Sequence, residues 1–425
     1  MKVLWLSNID LCDSNPSASG TWIYSMYNAL KKYTKIEVCA NITFTENKKP
    51  FNMIEGNRNN YYIPNIYVKK DGRPKNDAIK YIQNIISIEK PDLIHIWGTE
   101  KGWGLMINDK MKQTIPCLLE IQGLVFFVAE ECFYGGINDK EIRKMRGLIE
   151  YIYPNNRIER IKKRFQQWGE TEKKIIQSYD YVNTQSEWVR DLIYWVAPKV
   201  RMLNTDIILR DSFINAPLWS IKHQKGSFPI LLTTTSASLY KGLHITLRSF
   251  VLVKKYFPLA QLHIAGIGLH KSSWKDTGYI QYLRKICVEL GIEDNVMFLG
   301  RLDEKKLLSE MYNADVFVIS TFVESYCLAL AEALCLGMPC VAPFTSAISE
   351  LIVMGKNGDL YPMGDYYVCA RKIVELIKDN DRSVIMGNMA ALIQRKKSDP
   401  CELAIRQAKT YRRIYDDVHN KNSRI

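Results

Sequence analysis

Short apolar runs alternate with stretches of helical periodicity throughout the first half of the chain. Continuous apolar runs of this length are typical of strands in a parallel sheet that helices cover on both faces. The pattern predicts strands at 3–7, 36–40, 93–97, 117–121 and 181–184, and helices at 22–32, 77–89, 158–177 and 186–195. The predicted fold of this half is therefore a doubly wound, Rossmann-like α/β domain.

A second series of the same kind follows a stretch at 215–229 that contains two prolines and a glycine, which we interpret as a linker. It predicts strands at 230–234, 261–265, 296–299, 316–320 and 340–342, and helices at 244–256, 280–290, 304–312 and 327–336. We expect one domain over 1–222, a second over 223–402, and a final helix over about 403–425 that packs back on the first. A cleft between the two domains would collect the loops that follow the strands, where ligands of open parallel sheets bind.

Composition excludes several classes of protein. Of the 425 residues, 47% are hydrophobic and 24% are charged, which is unlike a disordered, collagen-like or small disulfide-stapled chain. The ten cysteines include no C-x-x-C pair, so neither a zinc ribbon nor a redox motif is indicated. No apolar run approaches the roughly 18 residues of a membrane-spanning helix, and the N-terminus lacks a signal-peptide pattern. We therefore expect a cytoplasmic protein.

The net charge of +13 is unevenly distributed, and one stretch carries nearly half of it. Residues 140–174 contain eleven basic and five acidic residues, interleaved with apolar and aromatic ones. Such a stretch is most often a solvated helical face. It is also suited to peripheral contact with an anionic membrane at the inner face of the cell, or to a lipid-diphosphate acceptor. No nucleic-acid-binding module is visible, so nucleic acid is not an expected partner.

The segment at 320–342 carries the most informative motif. A predicted strand ends near Ser320, Glu324 lies at the start of the next predicted helix, and Glu332 follows eight residues later. Helix N-terminal amides can hold a diphosphate, and a carboxylate can accept two hydroxyl donors of a sugar. The structural alternative makes Glu324 a partner of the helix dipole and Glu332 a solvated helix residue. The apolar neighbours of Glu332 argue against that alternative.

A second segment, TTTSASLYKG at 233–242, follows the first strand of the second domain. Its small hydroxyl residues, among them Ser236 and Ser238, leave backbone amides accessible. Lys241 stands just before the predicted helix, where its ammonium could meet a phosphate. An ordinary lysine at a helix start is the alternative interpretation.

Together these segments resemble the glycosyltransferases of family 4, which have the GT-B fold. The resemblance rests on the E-x7-E motif at 324–332, the E-A-x-x-x-G-x-P-x-V-A pattern at 332–342, and the K-G pair at 241–242. The F-L-G at 298–300 and A-D-V-F-V at 314–318 match further elements of the family. In the first domain, the opening strand, the loop around Gly20 and the P-D-x-I-H-x element at 91–96 match more loosely.

The resemblance implies transfer of a sugar from a nucleotide sugar, with retention at the anomeric carbon, to a saccharide or lipid-linked glycan. It implies that Glu332 holds the ribose and that Glu324 contacts the donor sugar. Lys241 and the segment of Ser325, Tyr326, Cys327 and Leu328 would neutralise the diphosphate, and Arg301 and Leu302 would lie near the base. It further implies no metal and no cofactor beyond the donor, because a lysine and a helix terminus stabilise the leaving group. Cell-surface polysaccharide synthesis, of O-antigen or capsule type, is the expected context.

Two positions depart from the family pattern. Ser236 stands where the family often has an arginine, and Gln122 stands where many members have a histidine beside the donor sugar. They motivate an alternative function, a non-catalytic nucleotide-sugar-binding subunit of a transferase complex. A nucleotide-sugar epimerase of similar fold is a second alternative. His95 has two interpretations, a contact to the sugars or a core histidine.

Two weaker motifs are set aside. The triplet Asp379-Asn380-Asp381 has the spacing of a metal-binding D-x-D but follows a helix, so we interpret it as a turn. The pair Gly266-x-Gly268 lacks the third glycine of a dinucleotide fingerprint, so NAD binding is not expected.

Overall fold

The structure of the chain is a computed structural model that describes residues 1–12, 20–69, 72–100, 102–221, 228–266, 268 and 276–422, with side chains up to residue 420. It contains two compact units. The first comprises Met1–Phe126, Gln167–Arg210 and the segment from Ser398 onward. The second comprises Phe127–Gln166 and Asp211–Lys397.

The described strands, in chain order, are β1 (Lys2–Leu6), β2 (Glu37–Thr45), β3 (Phe51–Glu55), β4 (Arg58–Pro64), β5 (Leu93–Trp97), β6 (Cys117–Glu120), β7 (Tyr181–Thr184), β8 (Arg201–Asn204), β9 (Ile230–Thr234), β10 (Gln261–Ala265), β11 (Val296–Gly300), β12 (Val316–Val318), β13 (Cys340–Phe344) and β14 (Asp359–Pro362).

The described helices are α1 (Thr21–Tyr33), α2 (Asn76–Glu89), α3 (Trp103–Met106), α4 (Asp109–Thr114), α5 (Val125–Phe127), α6 (Asp139–Lys144), α7 (Leu148–Ile152), α8 (Ile158–Gln177), α9 (Glu187–Val196), α10 (Asp211–Ile214), α11 (Leu243–Lys254), α12 (Gly278–Glu289), α13 (Glu304–Asn313), α14 (Leu328–Leu336), α15 (Ile348–Leu351), α16 (Tyr366–Lys378), α17 (Asn380–Lys397) and α18 (Pro400–Asn422).

The first unit has an eight-stranded sheet in the order β3-β4-β2-β1-β5-β6-β7-β8. All neighbouring strands are parallel except the edge pair β3–β4. β5 is buried along its whole length, as expected for a strand covered on both faces. α18 packs against α1 in this unit. The sequence pattern predicted neither β3 nor β4, because β3 is largely exposed and β4 is partly polar.

The second unit has a six-stranded sheet, wholly parallel, in the order β11-β10-β9-β12-β13-β14. The two α/β units with parallel sheets confirm the expected Rossmann-like fold class. Their limits differ from the expected ones, because the change of unit falls at 210–211 rather than at 222 and because residues 127–166 join the second unit. Hydrophobic periodicity reports local structure and carries no information on which sheet a segment packs against.

None of the described helices is long and apolar enough to cross a membrane. All ten cysteines are free thiols. The described residues contain no group of three or more His, Cys, Asp or Glu side chains arranged to hold a metal ion.

Glu150 fastens the segment 127–166 to the rest of the second unit. Its carboxylate, 1% exposed, accepts a hydrogen bond from Gly147 N at 2.8 Å and another from Gly278 N at 2.8 Å. These amides begin α7 and α12, so one buried carboxylate satisfies the N-termini of both helices.

We expect Glu150→Ala to lower the free energy of unfolding by about 2–5 kcal/mol, because it leaves two buried amides without an acceptor. Urea denaturation measures this change. Glu289→Ala, at a side chain that is 57% exposed near the end of α12, serves as the matched control and should shift stability by less than about 0.5 kcal/mol. Equal effects of the two substitutions would contradict this role of Glu150.

Glu172 is a buried carboxyl group in the first unit. Thr99 Oγ1 donates to its Oε1 at 2.5 Å and Phe126 N donates to its Oε2 at 2.9 Å. Burial raises the pKa of Glu172 to about 8, against the lowering effect of these two hydrogen bonds. The folded chain therefore holds this proton more tightly than the unfolded chain does.

The contribution of this proton to stability is complete below the ordinary carboxyl pKa and is lost as the pH rises to about 8. In that window we expect the unfolding free energy of the wild type to fall by up to about 1.4 kcal/mol per pH unit because Glu172 ionises. Glu172→Gln should lack this fall, because glutamine does not titrate. Denaturation of both proteins between about pH 5 and pH 8 measures the difference. A difference that stays constant over this range would show that Glu172 is ionised throughout.

Candidate active site

The strand order of the second sheet reverses between β9 and β12. In open parallel sheets, the carboxyl ends of the strands at such a reversal form the usual ligand site. The chain leaves β9 into residues 235–238 and the turn Leu239–Lys241, and it leaves β12 into residues 319–327, which precede α14. The two segments that carry the sequence motifs therefore lie side by side at one edge of the sheet.

Hydrogen bonds hold these two loops together. Phe322 N donates to Tyr240 O at 2.7 Å, and Ser320 Oγ donates to Lys241 O at 3.3 Å. Gly242, with φ at 67°, begins α11, and a Cβ at this position would overlap the carbonyl oxygen of Ser320. Only glycine combines this left-handed conformation with so close an approach of two chains.

Lys241 and Glu324 meet where the two loops adjoin. The Lys241 Nζ atom lies 2.5 Å from Glu324 Oε1, and the two side chains are 23% and 18% exposed. Burial by itself lowers the pKa of Lys241, but the neighbouring Glu324 carboxylate opposes it and the net pKa is raised. Lys241 is therefore a charged group at the carboxyl edge of the sheet, paired with a carboxylate from the neighbouring loop.

Glu332 lies on α14 and is 5% exposed. The residues around it on α14 are buried as well, so the alternative of a solvated helix residue is wrong. Tyr326, just before this helix, has its phenol oxygen 3.3 Å from Gln394 Nε2 of α17. The ring of Tyr326 is thus engaged in packing, which leaves its backbone as the part that could contact a ligand.

The residue immediately before α14 has an unusual conformation. Cys327 is buried and has φ at 77° and ψ at 70°, in the left-handed region that non-glycine residues rarely adopt. Ser346, in the loop after β13, also has positive φ at 41°, and its Oγ accepts a hydrogen bond from Glu324 N at 2.9 Å. The backbone on both sides of this contact departs from the commonest conformations, and such strain is concentrated at functional sites.

The other predicted donor-site residues follow strands of the same sheet. Ser236 Oγ donates to Ser238 Oγ at 3.1 Å in the loop after β9. Ser325 and Leu328 flank the start of α14. Arg301 and Leu302 follow β11, which is two strands away from β9 in the sheet.

Gly135 and Gly136 also contact this edge, a contact that the sequence analysis did not predict. A Cβ at Gly135 would overlap the Leu239 carbonyl oxygen, and one at Gly136 would lie 3.1 Å from the Phe322 ring. The Gly135 backbone hydrogen-bonds His244, whose Nδ1 lies 3.1 Å from the Tyr279 hydroxyl. The Gly-Gly pair was the one local signal for this close packing.

The first-unit candidates occupy two different environments. Gln122 follows β6 beside Gly98, whose φ is 95°, and a Cβ at Gly98 would overlap Glu100 and approach Gln122 Cδ to 3.2 Å. Gln122 is therefore at the carboxyl edge of the first sheet, as its position in the sequence suggested. Gly20, with φ at 84°, begins α1, where a Cβ would overlap Ile9.

His95 lies in the core of the first unit. It is 0% exposed, its Nδ1 is 2.7 Å from the Tyr411 hydroxyl, and its ring stacks on Trp97 with a centroid distance of 3.8 Å. Burial lowers the pKa of His95 well below its ordinary value, so the ring is neutral. The prediction that His95 contacts substrate is not supported by this placement, and the core interpretation describes it. The sequence left both interpretations open, because a residue in a buried strand and a residue at a site follow the same local pattern.

The D-x-D triplet at 379–381 and the glycine pair at 266 and 268 lie at the ends of secondary-structure elements. Asp379 follows the last residue of α16 and Asn380 begins α17, so the D-x-D spacing spans a junction between helices, in keeping with the interpretation as a turn. Gly266 follows β10 with φ at 153°, and Gly268 has φ at 81°.

Comparison with known proteins shows what this chain is similar to. Residues 218–392 match the family model described as Glycosyl transferases group 1. This stretch contains the whole second sheet, and it is similar to the group 1 glycosyl transferases. The resemblance that the motifs indicated is thereby confirmed.

Two curated relatives illustrate the range of this similarity. N-acetyl-alpha-D-glucosaminyl L-malate synthase of Bacillus anthracis is 32% identical over 140 residues, which is 32% of this chain and 35% of that protein. The putative colanic acid biosynthesis glycosyltransferase WcaL of Salmonella typhimurium is 28% identical over 148 residues, 33% of this chain and 34% of that protein. The match therefore spans about a third of the length of these relatives.

Solved structures extend the likeness to nearly the whole chain. Sucrose-phosphate synthase of Thermosynechococcus elongatus matches with a TM-score of 0.72 and 15% identity, over 98% of this chain and 100% of that one. HepE of Anabaena, solved with UDP-glucose, matches with a TM-score of 0.66 and 15% identity, over 96% and 99%. Identity this low shows the fold alone, which is GT-B, with a Rossmann-like α/β domain in each half, as expected.

We expect glycine to be favoured over alanine at position 327 and the reverse at position 335. Cys327 and Cys335 are both buried, but Cys335 lies within α14, where glycine costs about 0.5–1 kcal/mol relative to alanine. Cys327 has positive φ, where a Cβ costs about 1–2 kcal/mol. The unfolding free energies of the four single variants test this crossed pattern, and the same preference at both positions would contradict it.

Proposed function

We propose that this chain transfers a sugar from a nucleotide-sugar donor, with retention of the anomeric configuration, to a saccharide or lipid-linked glycan acceptor. The observation that carries the proposal is the contact between Lys241 Nζ and Glu324 Oε1 at the carboxyl ends of β9 and β12. It places a cation, a carboxylate and a helix N-terminus together, which are the groups that a sugar diphosphate requires.

Lys241 is suited to binding the diphosphate. Its ammonium group has three donors, and the hydrogen bond to Glu324 uses one of them. The start of α14, a nine-residue helix, adds backbone amides and the positive end of the helix dipole. Both features neutralise the charge that develops on the phosphate as the sugar leaves, so the proposed reaction needs no metal ion. The leaving phosphate itself takes the proton of the acceptor hydroxyl.

Glu324 and Glu332 are the proposed sugar ligands. Glu324 is partly exposed at the mouth of α14, where its carboxylate can accept hydroxyl donors of the transferred sugar. Glu332 lies further along the same helix and is 5% exposed, and by the family resemblance we assign it to the ribose. Arg301 and Leu302 would then approach the base.

The class of acceptor that we propose is based on the names of related proteins. One relative is named for colanic acid biosynthesis, and another is a phosphatidyl-myo-inositol mannosyltransferase of Mycobacterium leprae. By analogy, we propose that this chain extends a cell-surface polysaccharide or a lipid-linked glycan. The alternative of a non-catalytic subunit rests on Ser236 and Gln122, and it predicts nucleotide binding without turnover.

We expect one of UDP, GDP, ADP, CMP and TDP to raise the melting temperature in the presence of chelator. UDP is the first to test, because related folds have been solved with it. Lys241→Gln should weaken nucleoside diphosphate binding about 10- to 150-fold, the equivalent of one charge-assisted hydrogen bond of about 1.5–3 kcal/mol. Lys285→Gln, at a side chain 71% exposed on α12 of the same unit, is the matched control and should bind normally.

Glu324→Gln separates the alternatives. For a transferase it should retain nucleotide binding and lose most turnover of the matching sugar nucleotide, measured as nucleotide release with glycan acceptors. Unchanged activity of a complex that contains this variant would favour the non-catalytic subunit. If none of the five nucleotides binds, the assignment of the donor site is overturned.

A further inference from the structure

The short helix α7 buries its charged side chain and exposes large apolar ones, which is the opposite of the usual arrangement in a folded protein. Its one charged side chain, Glu150, is 1% exposed and caps two helices, whereas three of its four apolar side chains are exposed and the fourth, Ile149, is half-buried. Leu148 is 61% exposed, Tyr151 62%, Ile152 58%, and the following Tyr153 57%. We refer to these four side chains as the apolar tip. Large apolar side chains clustered at a rigid surface point are typical of an interaction site.

Basic side chains lie in the sequence on both sides of the apolar tip. The exposed ones are Lys140, Arg143, Lys144, Arg146, Arg160, Lys163 and Arg164. The four acidic residues of the same stretch are fewer than these seven basic ones: Asp139 is exposed, Glu141 is half-buried, Glu150 is buried, and Glu159 pairs with Arg146 at 3.5 Å. An apolar centre with an excess of positive charge on its flanks is complementary to an anionic lipid surface.

We propose that the apolar tip inserts into the interface of an anionic membrane while the flanking basic side chains contact the lipid headgroups. Tyrosine suits such an interface because its ring is apolar and its hydroxyl stays in water. This inference deepens the proposed function, on which its biological meaning rests, by naming the surface at which the chain works. Membrane binding itself needs neither nucleotide nor acceptor.

A second copy of the chain is the main competing occupant of the apolar tip. Pairing two copies through this surface would bring two basic stretches together, and like charges oppose such an interface. An anionic bilayer instead converts the same charges into attraction, worth about fivefold in affinity for each basic side chain near the surface. The charge therefore selects the membrane over self-association.

Vesicle co-sedimentation tests the proposal in the full chain, without nucleotide. We expect binding to vesicles of phosphatidylglycerol and phosphatidylcholine in equal parts, and little binding to phosphatidylcholine alone. Substituting both Tyr151→Ser and Ile152→Ser should weaken binding at least tenfold. The matched control substitutes Tyr194→Ser and Trp195→Ser on α9, an aromatic pair that is 54% and 81% exposed, and should bind as the wild type does.

A second pair of variants tests the electrostatic part. Arg143→Gln with Lys144→Gln should weaken binding roughly 25-fold and reduce its salt dependence. Lys305→Gln with Lys306→Gln, on exposed positions of α13, should not. The proposal is overturned if the wild type does not bind anionic vesicles, or if the tip variant binds as well as the wild type.

Sedimentation of the lipid-free chain measures its oligomeric state and so tests whether a second copy occupies the apolar tip. A dimer that the tip variant abolishes would overturn the membrane assignment in favour of self-association. Failure of the proposed function is distinguishable from these results, because it would appear as absent nucleotide binding in a chain that still binds vesicles.

Discussion

The reversal of strand order between β9 and β12 is the constraint on which the candidate site depends. It brings the ends of two strands to neighbouring positions although Lys241 and Glu324 are 83 residues apart in the chain. The ammonium and the carboxylate then hold each other in place, since each would be costly to leave partly buried without an opposite charge. A diphosphate that enters would find a cation already oriented, which reduces the entropic cost of binding.

Hydrogen bonds connect the three loops that surround this ion pair. The loop after β12 donates to the loop after β9 through Phe322 N, and Glu324 N donates to Ser346 in the loop after β13. Gly242 permits the close approach that these contacts need, and Cys327 adopts a left-handed conformation at the entry to α14. Sites of this kind combine rigid loops with local strain that the surrounding sheet offsets.

The sequence was sufficient for the parts of the molecule whose signal is local. The apolar runs predicted five of the six strands of the second sheet. The glutamates at 324 and 332 and the K-G pair pointed to the loops at its carboxyl edge, because each feature lies within a few residues of a strand end. The sequence was insufficient where contacts are distant. His95 follows a strand pattern that cannot tell a core from a site, and only its stacking on Trp97 and its contact with Tyr411 decide between them.

The segment 127–166 is the clearest case in which contacts between residues distant in the sequence decide the structure. It also connects the proposed donor site with the proposed membrane contact. Gly135 packs on the loop that carries Lys241, while Glu150 fixes the apolar tip to α12 of the same unit. Both contacts are made through buried polar groups or close backbone approaches, which resist deformation. If the tip enters a bilayer, the Lys241 loop is held at a defined distance from the lipid surface. An acceptor anchored in that surface would then meet the donor site without a search through solution, which is how a fixed geometry lowers the entropic part of a barrier.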